Sequence, residues 1–284
     1  MTSASAQAKI NLYFQVGPLR SDGYHDVVSV YQALGLGERV TVAPANSWQV
    51  TVESDLPNLD SIPRDEENLV VKAAFALAKH VGFINPQPMS FHIEKNIPVA
   101  GGMAGGSADA AAALVALNEE WCLGLELSQL IEVGKTLGAD VPFALIGGTA
   151  LGTGTGTDLK PIELGVEKEV VLLVNELALS TKDVFNRFDS LGLGSANLEV
   201  PDFQQSNWLG MNSLTAAAFG LLPQLSDLAA RDFGLGKAYL SGSGPTLWYL
   251  AADKDQAAQA VASISAAGYR AFATGFSSLG ARLV

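Results

Sequence analysis

The chain has 284 residues, 48% of them hydrophobic and 16% charged, a composition typical of a globular protein with one large or two medium-sized domains. Its 17 basic and 29 acidic residues give a net charge of -12, which argues against nucleic acids or anionic membranes as partners, because both need clustered Lys and Arg. The single cysteine, Cys122, excludes an internal disulfide, and no apolar run approaches a membrane span, so we expect a soluble protein of the reducing cytoplasm.

The first predicted strand covers residues 7–16, where apolar and polar side chains alternate with the period of two that a strand requires. This pattern predicts one apolar and one polar face. Lys9 and Asn11 both belong to the polar face, so their side chains should point the same way. The apolar face consists of Ile10, Leu12, Phe14 and Val16.

A polar turn at residues 17–23 leads to Tyr24 and His25, which stand at the start of a second predicted strand. We expect this strand to end near Leu34. From the pattern alone, Tyr24 is a half-buried strand residue and His25 a surface residue. Neither residue type at this position indicates a function by itself.

Two further short strands are predicted at residues 39–43 and 48–52, and a helix is predicted to begin at Asn68. Asparagine is a common helix cap, because its side-chain oxygen accepts a hydrogen bond from an amide of the first turn. From its position alone, Asn68 needs no role beyond this cap.

The stretch at residues 98–118 combines a glycine-rich loop with an alanine-rich helix. A strand precedes it, because Met89, Phe91 and Ile93 alternate with polar residues. A strand, a glycine loop and a helix in this order place free backbone N–H groups at the positive end of a helix dipole, which suits phosphate. The alternative is a plain tight turn, but two glycine pairs followed by Ser107 favour phosphate binding.

Neither common phosphate-loop template fits this stretch. The dinucleotide fingerprint G-x-G-x-x-G does not match the glycines, although Gly101 and Gly106 have Walker A spacing. Ser107 and Ala108, however, stand where the Walker A motif has Lys and Ser or Thr. The loop therefore has no lysine of its own, and Lys95, just before it, is the nearest candidate for a cation that steadies a triphosphate.

Ser128 is expected to cap a helix at residues 129–137, after which Asp140 stands two residues before Pro142. This spacing suits a short helix capped by the Asp140 carboxylate, and on the pattern alone that is the more common role. A carboxylate here would be favourably placed near a phosphate loop only if a cation neutralised it, and Lys9 is a candidate.

Glycine and threonine alternate at residues 149–157, which predicts a hairpin or an interdomain turn, so we place the domain boundary at residue 150. Residues 170–174 form a continuous apolar strand, and Ser180 caps a helix that carries Phe185. The second half continues as a split βαβ-like arrangement of the α+β class. Its predicted elements are helices at 212–222, 224–231 and 255–267 and strands at 238–240, 246–251 and 269–274.

Five short motifs are spread over almost the whole chain. They are A-K-I-N-L from Ala8, D-G-Y-H from Asp22, P-V-A-G-G-M-A-G-G-S-A-D-A-A from Pro98, G-A-D-V-P-F from Gly138 and S-G-S-G-P-T from Ser241. Together they resemble the GHMP small-molecule kinases, a superfamily that includes galactokinase, homoserine kinase, mevalonate kinase and phosphomevalonate kinase. Within it, the chain is most similar to the members that act on 4-diphosphocytidyl-2-C-methyl-D-erythritol in the non-mevalonate isoprenoid route.

The resemblance implies an α+β protein with the two-domain GHMP kinase fold. Residues 1–150 would form an N-terminal domain similar to domain 2 of ribosomal protein S5, with the ATP loop and the catalytic pair. Residues 151–284 would form a ferredoxin-like C-terminal domain. The resemblance also implies ATP and Mg²⁺ as cofactors, a cytidine-diphosphate sugar alcohol as small-molecule substrate, and a monomer or weak homodimer without nucleic-acid or membrane partners.

The resemblance implies a catalytic pair, Lys9 and Asp140, in which Asp140 accepts the proton of a substrate hydroxyl and Lys9 keeps Asp140 ionised. It places ATP near Asn68 and Lys95, with Ser107 near the phosphates and their magnesium ion, and it assigns no side chain as a direct metal ligand. The implied ATP loop consists of Pro98, Val99, Ala100, Gly101, Gly102, Met103, Ala104, Gly105, Gly106, Ser107 and Ala108. The residues implied to hold the substrate, with rings that flank its cytosine, are Asn11, Tyr24, His25 and Phe185.

The chain departs from the family pattern at Asp109. Many members have G-L-G-G-G-S-S-N where this chain has G-M-A-G-G-S-A-D, so a carboxylate replaces an amide.

Two alternatives stay open. A sister kinase for homoserine or mevalonate would have no use for the ring pair Tyr24 and His25, and a nucleotide-binding regulator without chemistry would have no use for Lys9 together with Asp140.

Overall fold

Two β-sheets with helices packed on them make up the described part of the chain, which in this computed structural model covers residues 1–57, 59–164, 168–175, 179–205 and 207–284. The first sheet has eight strands and the second has four. Helices and strands both contribute to each half, which confirms the expected α+β class.

The bounds of the elements follow from the backbone of the described residues. The strands are β1 (Thr2–Leu19), β2 (His25–Pro44), β3 (Gln49–Glu53), β4 (Met89–Glu94), β5 (Thr149–Thr153), β6 (Asp158–Pro161), β7 (Glu169–Val174), β8 (Met211–Asn212), β9 (Tyr239–Leu240), β10 (Leu247–Ala251), β11 (Arg270–Gly275) and β12 (Arg282–Leu283). The α-helices are α1 (Leu69–His80), α2 (Gly105–Glu120), α3 (Leu127–Lys135), α4 (Val141–Ile146), α5 (Thr181–Ser190), α6 (Thr215–Leu221), α7 (Pro223–Ala229) and α8 (Lys254–Ala266), and a 3-10 turn covers Leu59–Ser61.

The first sheet is built around the long antiparallel pair of β1 and β2. Its main strand order is β12-β1-β2-β4-β3, and β5 with β6 extends it as a hairpin from β2. This hairpin confirms the one predicted at residues 149–157. Because β5 runs across residue 150, the division of the chain into two domains at that residue stays a prediction.

The second sheet has the strand order β11-β7-β10-β9, and its neighbouring strands are antiparallel. Along the chain these are the fourth, first, third and second strands of the sheet. That order, with helices between the first and second and between the third and fourth strands, is a ferredoxin-like split βαβ unit. The ferredoxin-like arrangement expected for the second half is therefore confirmed.

β7 lies between two hydrophobic cores. Val170 and Leu172 pack into the core beneath α1 and α2, whereas Val171 and Leu173 pack into the core beneath α5 and α8. Successive side chains of a strand point to opposite faces, so a strand that is covered on both faces has no position for a polar residue. This explains the uninterrupted apolar run in the sequence.

α2 is buried on nearly all sides, which explains its alanine content. Small side chains let the helix lie close to β1, β2 and α1 without displacing them. The buried alanines are Ala108, Ala110, Ala111, Ala112, Ala113 and Ala116. The helix is therefore held firmly, and so is the glycine loop that leads into it.

The polar face predicted for β1 does not meet solvent. Lys9, Asn11 and Tyr13 are only 5%, 2% and 3% exposed. The second half of the chain covers this face, because Trp208 packs edge-on against the ring of Tyr13 and the turn at Gly242 closes over Lys9. The two faces of β1 are both interior, and the polar side chains on it lie in a buried site.

The second strand is longer than predicted. Residues 25–34 and 39–43 were expected to be separate strands, but both belong to the 20-residue strand β2. β1 runs beside it over its whole length and absorbs the irregular middle through a shift in register between Gln7 and Lys9. Pairing with a neighbouring strand therefore keeps the chain extended through Gly35 and Gly37.

The predicted cap of α3 is also wrong. The helix begins at Leu127, and the cap is Glu126 rather than Ser128. The Glu126 side chain accepts a hydrogen bond from the amide of Gln129, whose side chain accepts one from the amide of Glu126 at 3.0 Å. This reciprocal pair satisfies two amides of the first turn, so it is preferred over a single serine cap.

Candidate active site

The glycine loop connects β4 to α2 through a backbone that repeatedly enters the left-handed region. Ala100, Gly102 and Ala104 have φ values of 56°, 72° and 60°. The amides of the first turn of α2, from Gly105 to Ser107, have no carbonyl partner within the helix. Free amides at the positive end of a buried helix are a suitable site for phosphate oxygens.

Gly102 lies where the loop touches the turn between β9 and β10. A Cβ atom at Gly102 would be 2.5 Å from the carbonyl oxygen of Ser241 and 2.9 Å from that of Gly244. The Ser241 hydroxyl also donates a hydrogen bond to the Gly102 carbonyl at 2.9 Å. The turn from the second half of the chain therefore fixes the shape of the glycine loop.

The substitution Gly102→Ala is expected to displace the loop and to weaken nucleotide binding by about tenfold or more. It should also lower the stability, because a left-handed alanine costs about 1 to 2 kcal/mol and the contact with Ser241 adds to that cost. Thermal unfolding and ATP titration measure the two effects.

Gly82→Ala is the matched control for Gly102→Ala. Gly82 has a similar φ of 75°, but a Cβ atom there would have no atom within 4 Å. We expect this variant to lose stability through backbone strain alone and to bind nucleotide as the wild type does. An equal loss of nucleotide affinity in both variants would contradict the role of the Gly102 contact.

Lys9 is buried beside the loop and is held by three partners. Its Nζ donates a hydrogen bond to Asn11 Oδ1 at 2.8 Å and forms an ion pair with Asp140 Oδ2 at 3.8 Å. Its backbone amide donates to the carbonyl of Met103 at 3.2 Å, which joins β1 to the glycine loop. Asn11 is fixed in turn by a hydrogen bond of 2.8 Å to the hydroxyl of Ser29.

Asp140 precedes α4 and its carboxylate faces Lys9. The capping role is not borne out, because the side chain of Asp140 accepts no capping hydrogen bond from the first turn of the helix. The side chain is 31% exposed, compared with 7% for Lys9. Asp140 is therefore the partly open member of the pair and can reach a bound molecule.

One cavity of about 1190 Å³ contains most of the predicted site residues. Those that line it are Lys9, Asn11, Tyr24, His25, Asn68, Lys95, Pro98, Val99, Ala100, Gly101, Gly102, Ala104, Gly105, Gly106, Asp140 and Phe185. The other three, Met103, Ser107 and Ala108, do not line it, and the side chains of Met103 and Ala108 are buried in the core. The structure thus brings the glycine loop, the Lys9–Asp140 pair and the three ring residues to one site.

The ring residues form a niche in the wall of the cavity. His25 lies 5.1 Å from Phe185 between ring centroids, and its Nδ1 is 2.9 Å from the Gly17 carbonyl. A carbonyl only accepts, so Nδ1 carries the proton, and Nε2 lies 3.6 Å from Asp189. The pattern predicted a half-buried Tyr24 and a surface-exposed His25. Both predictions are wrong, because Tyr24 is 63% exposed and His25 is buried.

Asn68 is the cap of α1, as expected from its position. Its Oδ1 accepts a hydrogen bond from the amide of Val70 at 3.0 Å, and its Nδ2 donates to the carbonyl of Pro63 at 2.6 Å. Both ends of the side chain are therefore used within the chain. Asn68 also borders the cavity, so the cap fixes one of its walls.

Lys95 is not a free cation in this structure. Its Nζ lies 2.7 Å from Glu38 Oε1 and 2.6 Å from Asp109 Oδ2, and all three residues are buried. The other carboxylate oxygen of Glu38, Oε2, accepts a hydrogen bond from the amide of Asn96 at 2.7 Å. In contrast, Asp109 Oδ1 has no hydrogen-bond partner among the described residues. We call Glu38, Lys95 and Asp109 the buried charge cluster.

The buried charge cluster has strongly perturbed ionisation. Burial raises the pKa of Glu38 to about 7, with a further contribution from Asp109 that Lys95 offsets only in part. Burial likewise raises the pKa of Asp109. Burial alone would lower the pKa of Lys95, but the two carboxylates outweigh it and raise that pKa above its ordinary value. Lys95 is therefore charged while the carboxylates hold protons more tightly than exposed ones do.

The free energy of unfolding is expected to fall as the pH rises from about 4.5 to about 7. Glu38 has an ordinary pKa of 4.5 and a folded pKa of about 7, so over this window the folded state binds more protons than the unfolded state. A shift of this size corresponds to a loss of up to about 3 kcal/mol. Chemical denaturation at several pH values measures it.

Asp109→Asn provides the comparison for this pH dependence. The Asp109 charge is one cause of the raised pKa of Glu38, so its removal should flatten the profile between pH 4.5 and 7. Identical profiles for the wild type and the variant would show that the pH dependence arises elsewhere in the chain.

Several residues of the site were missed or left without a role by the sequence analysis. Gly242 and Ser243 line the cavity, although the S-G-S-G-P-T turn was used only as a family motif and was given no role in the site. Glu38 and Asp189 were not singled out, because each becomes adjacent to the site only through folding. The repeated glycines of the turn were the one local signal that could have indicated a close approach of backbones.

Membrane and metal features are limited in the described ranges. No helix there combines the length and the apolar character that crossing a bilayer requires. The same residues contain no group of three or more His, Cys, Asp or Glu side chains arranged to hold a metal ion.

Known proteins resemble this chain over most of its length. Residues 68–148 match the GHMP kinases N terminal domain. The chain is 39% identical to the 4-diphosphocytidyl-2-C-methyl-D-erythritol kinase of Leifsonia xyli subsp. xyli (strain CTCB07), over 93% of this chain and 92% of that protein. It is 43% identical to the protein of the same name from Kineococcus radiotolerans (strain ATCC BAA-149 / DSM 14245 / SRS30216), over 88% of this chain and 81% of that protein.

Solved structures agree with these sequence relationships. A crystal structure of 4-(cytidine 5'-diphospho)-2C-methyl-D-erythritol kinase has a TM-score of 0.76 at 30% identity, covering 96% of this chain and 98% of that one. The L. major mevalonate kinase in complex with R-mevalonate has a TM-score of 0.70 at 16% identity, covering 97% and 96%, which shows the shared fold alone. The chain therefore belongs to the 4-diphosphocytidyl-2-C-methyl-D-erythritol kinase family of the GHMP kinases.

Proposed function

We propose that this chain transfers the γ-phosphoryl group of ATP to a hydroxyl of 4-diphosphocytidyl-2-C-methyl-D-erythritol, in non-mevalonate isoprenoid precursor biosynthesis, with Asp140 as general base aided by Lys9. One observation carries the proposal. A buried lysine and a partly open carboxylate, 131 residues apart in sequence, lie 3.8 Å apart in the cavity that the glycine loop borders. A nucleotide-binding protein without chemistry has no need of this pair.

The glycine loop supports ATP as the phosphate donor. The loop is a concave backbone with three left-handed residues, and it ends in the free amides of the first turn of α2. Apart from Pro98, Val99 and the buried Met103, the loop residues are glycine, alanine or serine, so phosphate oxygens can approach the backbone closely. The loop itself has no lysine, and Lys9 is the buried cation that can reach the outer end of a bound triphosphate.

In the proposed reaction the substrate hydroxyl oxygen attacks the γ-phosphorus, the bond between that phosphorus and the bridging oxygen of ADP breaks, and the hydroxyl proton passes to Asp140. Lys9 holds the Asp140 carboxylate beside the glycine loop through their 3.8 Å ion pair, where it can accept the proton. Phosphoryl transfer has a loose transition state, so positioning and charge neutralisation should contribute more than proton removal.

Magnesium is the cofactor that we propose alongside ATP. When bound, it supplies neutralisation of the charge on the phosphate oxygens. The chain would hold the phosphates and the ion through the amides of the glycine loop and the Ser107 hydroxyl at the start of α2, although Ser107 does not line the cavity.

The ring niche supports a cytidine-containing substrate. Tyr24 is exposed, His25 is held by the Gly17 carbonyl, and Phe185 lies beside His25, so aromatic faces are available for stacking. The curated relatives are named for a diphosphocytidyl substrate. Homoserine and mevalonate have no ring, and a niche of this kind would add nothing to their binding.

A phosphoryl-transfer assay with ATP and Mg²⁺ tests the proposal. We expect ATP consumption that depends on added 4-diphosphocytidyl-2-C-methyl-D-erythritol, and little turnover with homoserine or mevalonate. Preference for either small alcohol would identify a sister kinase. Binding of ATP without turnover of any of the three alcohols would indicate a nucleotide sensor. A monomer or weak homodimer in the cytoplasm stays our expectation.

A further inference from the structure

The buried charge cluster has an unbalanced charge. One ammonium group, on Lys95, faces two carboxylates, on Glu38 and Asp109, at 2.7 Å and 2.6 Å. Above about pH 7, where Glu38 gives up its proton, all three groups are ionised and the cluster has one negative charge in excess. All three side chains are at most 6% exposed, so water screens this charge poorly.

The cluster lies directly beneath the proposed phosphate site. A Cβ atom at Gly105, the first residue of α2, would be 3.1 Å from Lys95 Nζ and 3.4 Å from Glu38 Oε1. Lys95 and Asp109 also line the cavity. The excess charge therefore acts on the place where a triphosphate, itself an anion, would bind to the amides of the helix.

The two carboxylates of the cluster differ in their hydrogen-bond partners. Glu38 accepts hydrogen bonds from the amides of Asn96 at 2.7 Å and Ile97 at 3.2 Å, so it anchors the chain that enters the glycine loop. Among the described residues, the Asp109 carboxylate has one polar partner, Lys95, and its Oδ1 is buried without a hydrogen bond. An amide at this position could keep the contact with Lys95 through its oxygen, so the second oxygen of Asp109 adds charge and no hydrogen bond.

We propose that Asp109 sets the nucleotide affinity of this chain, because its carboxylate gives the buried charge cluster an excess negative charge that repels the phosphates of a bound nucleotide. The inference rests on the proposed function in one respect, namely that ATP occupies the glycine loop. Lys95 then acts on the nucleotide through the cluster and the loop, because its ammonium group is already paired with Glu38 and Asp109. Repulsion of this kind weakens ATP binding and speeds the release of ADP.

Asp109→Asn tests the proposal by isothermal titration of ATP, ADP and adenosine at fixed Mg²⁺ and about pH 8, where the pKa of about 7 leaves Glu38 ionised in the wild type. The variant should bind ATP about tenfold more tightly than the wild type, and its affinity for ADP should rise by a smaller factor. Its affinity for adenosine should stay within about twofold of that of the wild type, because the electrostatic repulsion scales with the charge of the ligand. A change of packing alone would alter the affinity for adenosine as much as that for ATP.

Glu119→Gln is the matched control. Glu119 is an exposed carboxylate on the same helix, ten residues from Asp109 and thus about 15 Å along the axis, beyond the screening length of physiological salt. It should leave all three affinities unchanged. If Asp109→Asn fails to fold, Glu38→Gln removes the same excess charge. We then expect the affinity of Glu38→Gln for ATP to rise more than its affinity for adenosine.

The outcomes separate this inference from the proposed function. Equal affinities of the wild type and Asp109→Asn for ATP, or weaker ATP binding by the variant, would overturn the inference and leave the kinase proposal standing. A parallel shift for ATP and adenosine would assign Asp109 a purely structural role and overturn it as well. If the wild type bound no ATP at all, both the kinase proposal and this inference would be wrong.

Discussion

Asp140→Asn is expected to lower kcat by roughly a hundredfold or more while ATP affinity stays nearly unchanged. The carboxylate is the group placed to accept the hydroxyl proton, and asparagine has a similar size but cannot accept a proton. ATP should still bind, because the substitution leaves the glycine loop unchanged and the Asp140 carboxylate is paired with Lys9. Steady-state kinetics with saturating substrates and a separate ATP titration measure the two quantities.

Asp227→Asn is the matched control for this prediction. Asp227 is exposed on α7 and does not line the cavity, so the same chemical change there should leave kcat as it is. If Asp140→Asn retained nearly the wild-type kcat, Asp140 would not be the general base, and its role would be confined to the structure around α4.

Lys9→Met is the second substitution with a large expected effect. We expect kcat to fall by about 10² to 10³, the range seen when one group that stabilises transition-state charge is removed. Methionine fills most of the space of the buried lysine stem but has no charge for the transferring group or for Asp140. ATP binding should also weaken, unlike in Asp140→Asn, since Lys9 is the cation nearest to the outer phosphate in the proposed complex.

Lys79→Met is the control for the loss of a lysine, because Lys79 is exposed near the end of α1. Thermal unfolding of Lys9→Met shows whether the loss of kcat comes from the site or from the fold, since the change leaves Asn11 Oδ1 without its donor. Full activity of a well-folded Lys9→Met protein would remove Lys9 from the mechanism.

The double variant tests whether Lys9 and Asp140 act as a unit. If Lys9 works partly by orienting the Asp140 carboxylate through their ion pair, its removal matters less once Asp140 is asparagine. The loss of kcat in the double variant should then be clearly smaller than the product of the two single losses. Strictly multiplicative losses would show that the two residues act independently in spite of the 3.8 Å between them.

Local patterns in the sequence were enough to predict the elements that carry the site. The order of β4, glycine loop and α2 was predictable because strand alternation, glycine and alanine each act on the backbone within a few residues. The cap at Asn68 and the hairpin of β5 and β6 were predictable for the same reason. The motif set also indicated the family, which the comparison with known proteins confirmed.

Contacts between distant parts of the chain decided the rest. The alternation in β1 predicted a polar face but not its burial, and segments from the second half of the chain bury that face, and Lys9 with it. His25 was expected at the surface and is buried against Phe185, 160 residues later. No pattern within a strand can show what will be packed onto it, because burial depends on which other segments arrive there.

The environment of Lys95 shows most clearly which features follow from the sequence and which depend on folding. The sequence by itself determined that a lysine precedes the glycine loop and that a carboxylate follows it at Asp109. Only the tertiary structure decided that β2 brings Glu38 to the same point, so that Lys95 is surrounded by two carboxylates and is not free for phosphate. The physical reason is that the field at a buried group is a sum over all nearby charges, and most of those charges are neighbours only in the folded chain.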